Sequence, residues 1–265
     1  IGPETYQKKV NVVNIDYILN KKPISWEGSV SSNGVVYSKE KQSLFSQLVE
    51  ITYESRVEKR NEMMRLRKLD EEKYKQQIED LDMEQYALKI QLNSLYGAIG
   101  NEYFRFYDRD NAEAITTTGQ TIIQWVERSV NEVIGDYGKV FYSDTDSIFV
   151  TLEKLIDKVK PKNDIEYLDT FCKKVLEPHI QKSFDNYCSY INAYKNHLVM
   201  KREAIGDKGI WQAKKRYMLN IFDNEGVRYN EPKLKVMGVE SVKSSTPQIC
   251  RDALKTSIGL MMNGT

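Results

Sequence analysis

Two aspartates separated by one residue, Asp144 and Asp146, lie in Val140-Phe141-Tyr142-Ser143-Asp144-Thr145-Asp146-Ser147-Ile148-Phe149-Val150, between runs rich in β-branched and aromatic residues. Such runs with a polar break predict two short strands over Lys139 to Thr151, a β-hairpin with both carboxylates at its bend. Carboxylates held that close repel unless a cation lies between them, and hard oxygen ligands suit Mg²⁺. An aspartate at a bend also serves as a turn residue that hydrogen-bonds its own backbone, and the motif alone leaves both readings open.

A second group of residues has the spacing of a helix face. Lys89, Asn93 and Tyr96 fall at i, i+4 and i+7, which aligns an ammonium, an amide and a phenol beside a stripe of Leu81, Leu88, Leu92 and Leu95. Arg56 and Arg60 stand at i and i+4 on a preceding helical stretch. An antiparallel return would converge them with Lys89 on one polyanion such as a triphosphate. The plainer readings are a solvated lysine, and surface ion pairs of the arginines with Glu58 or Glu62.

These residues need elements to hold them. From Ser43 to Tyr96 there is no glycine or proline, and charged and apolar residues recur at spacings of three and four, which predicts two long helices in a protruding hairpin. Leu44, Leu48 and Ile51 mark the stripe of the first helix, Arg65 to Asp80 the exposed tip, and Gly97 with Gly100 the end. Before the hairpin, Asn33-Gly34 followed by Val35-Val36-Tyr37 reads as a small β-hairpin. After it come an aromatic cluster from Tyr103 to Tyr107, an amphipathic helix from about Asn111 to Val133, and the acidic hairpin. Then follow a helix from about Leu168 to Tyr190 and strands at about His197 to Ala204 and Lys215 to Phe222, joined by a glycine-containing turn. Thr246 with Pro247 behind it predicts the start of a last helix. The order predicts an α+β fold with helices packed against one antiparallel sheet.

At 265 residues and 40% hydrophobic content the chain can bury one sizeable core or two modest ones. No apolar run nears the roughly 20 residues that cross a bilayer, and Ile1-Gly2-Pro3-Glu4 lacks a signal-peptide pattern, so a protein of the cell interior is expected. Cys172, Cys188 and Cys250 show no CxxC spacing, which predicts reduced thiols rather than a zinc knuckle or a disulfide framework. The formal charge is only +1, but basic residues bunch from Arg56 to Lys75 and from Lys195 through Lys214-Lys215-Arg216 to Lys243. Two local positive surfaces are expected.

Three segments in order, Lys89-Ile90-Gln91-Leu92-Asn93-Ser94-Leu95-Tyr96-Gly97, Tyr142-Ser143-Asp144-Thr145-Asp146-Ser147 and Lys214-Lys215-Arg216-Tyr217, resemble signature segments of family B DNA polymerases. Within that family Ala114-Ile115-Thr116-Thr117, Arg202-Glu203-Ala204-Ile205 and Lys243-Ser244-Ser245-Thr246-Pro247 resemble the replicative polymerases of T-even-like bacteriophages. The resemblance implies a right-hand polymerase with palm at residues 1–42 and 97–240, a helical fingers hairpin at 43–96 and the start of a thumb at 241–265. It implies that Asp144 and Asp146 bind two catalytic Mg²⁺ ions, with Glu203 a further palm carboxylate near them. Arg56, Arg60 and Lys89 would hold the phosphates of an incoming deoxynucleoside triphosphate as the fingers close, and Asn93 and Tyr96 would line the nascent base pair. Lys214, Lys215, Arg216 and Tyr217 would track the primer–template DNA.

The family's further aspartate, in an Asp-X-X-Ser-Leu-Tyr-Pro-Ser segment, has no counterpart here, and Ile1 to Thr5 resembles the residues just beyond that segment in the phage enzymes. The exonuclease domain and most of the thumb are likewise expected to be absent; Asp82-Met83-Glu84 matches the exonuclease signature in letters only. The expectation is a palm and fingers portion, inactive alone, in the cytoplasm of a host cell, either a fragment of an intact enzyme or one half of a split polymerase whose partner carries the missing strand. The alternative is a non-catalytic DNA-binding or accessory subunit that retains the polymerase fold.

Overall fold

The computed structural model describes residues 27–263, which fall into two compact units. One comprises the described residues up to Thr121 together with Ser189–Lys195; the other comprises Ile122–Cys188 and the residues from Asn196 onward. The expected palm segment before Glu27, including Ile1 to Thr5, lies outside the described residues.

In the first unit β1 (Ser29–Val30) and β2 (Val36–Tyr37) pair antiparallel around the Asn33-Gly34 turn, with Gly34 at φ 86°. Helix α1 (Leu44–Asp70) starts where the Ser43 hydroxyl accepts from the Ser46 N–H at 3.1 Å, satisfying one orphan donor of the first turn. The chain turns over Glu71 to Tyr74, and α2 (Lys75–Ile99) returns against α1. Toward the tip the hairpin is apolar inside: Met63, Leu66 and Ile78 are buried, with Met64, Tyr74 and Leu81 packed around them. Lower down, Lys59 and Glu84 form an ion pair across it. Gly97 lies within α2, whose end comes at Gly100.

The expected stripe on α1 needs correction. Leu44, Leu48 and Ile51 are 72%, 50% and 65% exposed. Met63 sets the helix phase near the tip, and stepping back about 3.6 residues per turn brings Lys59, Arg56 and Thr52 inward and, one turn beyond the exposed Leu48 and Val49, Phe45. All four are half-buried. Leu44 and Ile51 stand about 100° round the helix from Phe45 and Thr52. Phe45 meets Phe104 and Phe106 of the aromatic cluster, with ring centroids 6.4 and 5.5 Å away. Ser189–Lys195 is fastened to this unit by the Val30 N–H donating to Ile191 O at 3.0 Å and by Lys195 Nζ 2.5 Å from Glu50.

Helix α3 (Arg109–Ile134) contributes its residues from Ile122 to the second unit. There Val126, Val130 and Ile134 pack with Val140 of β3 (Lys139–Asp144) and with Leu176, Ile180 and Phe184 in one buried cluster. Strand β4 (Ser147–Thr151) closes the acidic hairpin, followed by α4 (Glu153–Val159). The single helix expected from Leu168 is a longer helical run: α5 (Asp164–Phe171), a π-helical stretch Cys172–Leu176, and α6 (Glu177–Tyr190). Pro178 lacks the N–H that would continue the ordinary ladder, and the wider turn sits just before it.

The sheet expectation is corrected in two respects. His197 to Glu203 carries strand-like alternation, with Leu198 and Met200 packed on the first core, but has no ladder, which begins only at Ala204. Side chains satisfy its donors instead: Leu198 N–H donates to Asn196 Oδ1 and Arg202 N–H to Glu177 Oε1. The strands proper are β5 (Ala204–Ala213), β6 (Arg216–Asn224) and β7 (Val227–Met237), antiparallel in the order β5-β6-β7, and the glycine-containing stretch expected as a turn before Lys215 lies within β5. Among the described residues this sheet and the β3–β4 hairpin are separate. They meet through aromatic side chains, which hold the backbones beyond the roughly 4.8 Å of a ladder. Helix α7 (Gln248–Asn263), starting one residue after Pro247, packs Ile258 and Met262 on Met218 and Val239 as a second core.

Candidate active site

Asp144 pairs with Ser147 across the acidic hairpin, leaving Thr145 and Asp146 as its two-residue turn. Thr145 takes a left-handed φ of 56°, and the turn is knitted by the Asp146 N–H and the Ser147 hydroxyl, which both donate to Asp144 O. Thr145 Oγ1 donates to Asp144 Oδ1 at 3.0 Å. Asp144 is half-buried and Asp146 exposed, so the two carboxylates stand at the rim, open to a ligand. The two carboxylates would offer hard oxygens two residues apart, at the end of β3 and in the turn that follows it. That suits Mg²⁺, which keeps several waters and takes one or two carboxylates plus substrate phosphates.

Glu203 immediately precedes β5. Its carboxylate is 2.6 Å from Lys235 Nζ, and its carbonyl accepts from the Glu225 N–H at 2.6 Å. Among the described residues no three His, Cys, Asp or Glu side chains are grouped as a metal cage.

The basic segment forms the turn between β5 and β6. Lys214 and Lys215 are exposed, and Lys215 adopts φ 62°, uncommon for a residue with a Cβ. Two contacts hold it: the Lys215 N–H donates to the Tyr142 hydroxyl at 2.7 Å, and Gly238 approaches so closely that a Cβ there would lie 2.0 Å from Lys215 O. The catalytic candidate strand and the basic turn are thus joined by a direct bond. Arg216 pairs with Glu240, which also binds Lys243 Nζ at 3.0 Å. These bonds, that of Lys243 first, hold the Glu240 carboxyl below its ordinary range. Tyr217 is buried; burial, with Asp144 and Glu203 nearby and Lys235 opposing, pushes its hydroxyl pKa up, so it stays protonated.

The nucleotide-binding candidates occupy the helical hairpin. Taking the Lys59–Glu84 pair as a common level, Arg56 lies about 4.5 Å and Lys89 about 7.5 Å toward the base, at 1.5 Å per residue. Arg60 lies about 9 Å beyond Lys89 toward the tip. The register therefore brings Arg56 and Lys89 to nearly one level and places Arg60 farther out. Arg56 Nε is buried and has no hydrogen-bond partner among the described residues, so a contact of Arg56 with a phosphate would fall to the rest of its guanidinium. Lys89, Asn93 and Tyr96 are exposed along α2.

A family model, DNA polymerase family B, matches residues 3–265. The chain belongs to DNA polymerase family B. Among its relatives, the DNA-directed DNA polymerase of Escherichia phage RB69 is 48% identical over 194 residues, 66% of this chain and 22% of that protein. That of Enterobacteria phage T4 is 44% identical over 190 residues, 64% of this chain and 21% of that protein. The DNA polymerase of Thermococcus gorgonarius is 29% identical over 174 residues, covering 65% and 18%. The chain spans about a fifth of the length of these relatives.

Sequence reasoning missed the aromatic group behind the acidic hairpin, in which Phe141, Tyr142 and Phe149 meet Trp211 and Tyr217 of the family B chain. The signal available was the density of rings around Asp144 and around Lys215. Periodicity within one segment does not tell which rings meet across 70 residues.

Proposed function

We propose that the chain forms the palm and fingers portion of a template-directed DNA polymerase, transferring deoxynucleotides to a primer 3′-hydroxyl. The observation that carries this reading is the Lys215–Tyr142 bond, which ties a basic turn suited to a DNA backbone to the strand bearing Asp144 and Asp146. The family membership supports the same reaction.

Asp144 and Asp146 would hold Mg²⁺, and when bound two such ions stabilise the attacking and leaving oxygens of an in-line displacement. The chain's other groups position charge. Arg56, Arg60 and Lys89 hold the triphosphate, and Asn93 and Tyr96 line the nascent base pair. Lys214, Lys215 and Arg216 take primer–template phosphates, while Tyr217, protonated, keeps a hydrogen-bond donor beside them. Glu203 would exchange its pairing with Lys235 to serve as a further carboxylate.

The 265 residues contain no Asp-X-X-Ser-Leu-Tyr-Pro-Ser segment. We therefore expect no extension by these residues alone, and extension when a polypeptide carrying that segment is added. The test is primer extension with Mg²⁺ and four deoxynucleotides in both arrangements. Asp146→Ala abolishes activity in the mixture, and Lys89→Ala slows nucleotide addition by on the order of 100-fold. Associated, folded components that bind DNA without extending it would point instead to an accessory subunit.

A further inference from the structure

A regular strand would point Phe141 and Tyr142 to opposite faces. The irregularity between Val140 and Tyr142 instead allows both rings to meet Trp211, with centroids 4.6 and 6.3 Å away. Phe149 of β4 adds an edge contact at 5.6 Å, and Tyr217 stacks on the indole at 6.2 Å with 22° between planes. Trp211 therefore touches both strands of the acidic hairpin and the residue that closes the basic turn. Strand β5 is shaped to receive it. At Gly209 a Cβ would stand 2.4 Å from the indole edge and 2.7 Å from Leu219 Cδ2, so the ring lies over bare backbone. Trp211 Nε1 is buried with no partner among the described residues, so shape rather than a hydrogen bond holds the ring.

We propose that Trp211, seated on Gly209, is a positioning residue that fixes the Asp144–Asp146 hairpin against the Lys214–Tyr217 turn. The inference rests on the polymerase reading of that site. Phe141 is three residues from Asp144, a lever of about 10 Å along a stiff strand. Tilting the hairpin by about 6° at the bulge moves the carboxylate by about 1 Å, and a misplacement of that size costs on the order of 100-fold in rate.

The experiment compares Trp211→Ala, Trp211→Phe and Gly209→Ala with Leu155→Ala, a change at a buried position of α4 in the same unit, outside the cluster that packs on the acidic hairpin. In the complemented mixture, Trp211→Ala and Gly209→Ala lower the extension rate on the order of 100-fold and raise the Mg²⁺ concentration for half-maximal rate. Trp211→Phe restores most of the rate, and Leu155→Ala leaves the Mg²⁺ midpoint unchanged despite lower thermal stability. A rate and midpoint unmoved by Trp211→Ala, or moved equally by Leu155→Ala, overturn the assignment. A ¹⁹F spectrum of the chain with 5-fluorotryptophan supplies a readout free of activity: the Trp211 resonance, assigned by its loss in Trp211→Phe, shifts in Gly209→Ala and Phe141→Ala. If the wild-type mixture does not extend a primer, the polymerase reading fails. The seat is then judged on the resonance alone, and a resonance unmoved by both variants overturns it.

Discussion

The segment leading into β5 is held by a network of four charges, and removing one of them gives a sharp test. Asp223 is fully buried; it pairs with Arg202, whose side chain is 8% exposed, and accepts from the Gly226 N–H at 3.0 Å. Arg202 also pairs with Asp169. Arg228, at 40% exposure, stands 3.1 Å from Asp169 and 2.6 Å from Asp223 Oδ2, close enough for an ion pair but not aligned for a hydrogen bond. Replacing Arg202 with leucine strands a buried carboxylate, a change that ordinarily costs about 3–5 kcal/mol. The remaining Gly226 and Arg228 contacts place the expectation at the low end, about 3 kcal/mol, or a fall in melting temperature of roughly 6–12 °C. Arg228→Leu, removing a solvent-screened and misaligned partner, costs about 1 kcal/mol or less. Removing both buried charges, Arg202→Met with Asp223→Leu, recovers part of the loss because no uncompensated charge is left inside. Thermal and urea unfolding followed by circular dichroism measures all three. An Arg202→Leu protein that melts within about 2 °C of wild type, or an Arg228→Leu protein less stable than it, would refute the reasoning.

Burial disfavours the Asp169 carboxylate, but its bonds from Lys173 and Arg202 prevail and hold its carboxyl below the ordinary 3.8. A depressed folded pKa contributes stability above the unfolded value, so this contribution is present at about pH 5–7 and lost as pH falls below about 4. Asp169→Asn flattens that part of the acid limb in a melting-temperature series, and an unchanged limb rules the contribution out. Cys172 is pushed up to about 11 by burial, with Arg202 opposing and Glu177 and Asp169 adding to it, whereas Cys250 is exposed. At about pH 8 a thiol-reactive disulfide reagent should label Cys250 first and Cys172 only after denaturant is added, as peptide mass mapping would show.

The elements around the candidate site were largely legible locally. A run without glycine or proline from Ser43 to Tyr96 gave α1 and α2, and the polar break at Asp144-Thr145-Asp146 between β-forming runs gave the acidic hairpin, although Asp144 itself closes the ladder. Each depends on propensity and spacing within a few residues. The strand at Lys215 to Phe222 was legible too, but its partner was mistaken. Leu198 and Met200 alternate like strand residues, and only the folded chain shows that side chains, not a neighbouring strand, satisfy the backbone there.

The sequence by itself determined the acidic bend and the spacing of the cationic residues on the two long helices, because in each case the residues are near neighbours on one element, whereas the turn at Lys214 and Lys215 emerged only when β5 paired with β6. Tertiary structure alone decided which face of α1 turns inward, since that phase is set by Met63 and Leu66 packing near the tip rather than by the nearest leucines. It alone seated Phe141 on Trp211 and joined Arg202 to Asp223. Those partners lie tens of residues apart, and nothing in local periodicity encodes a pairing that exists only once separate elements have packed.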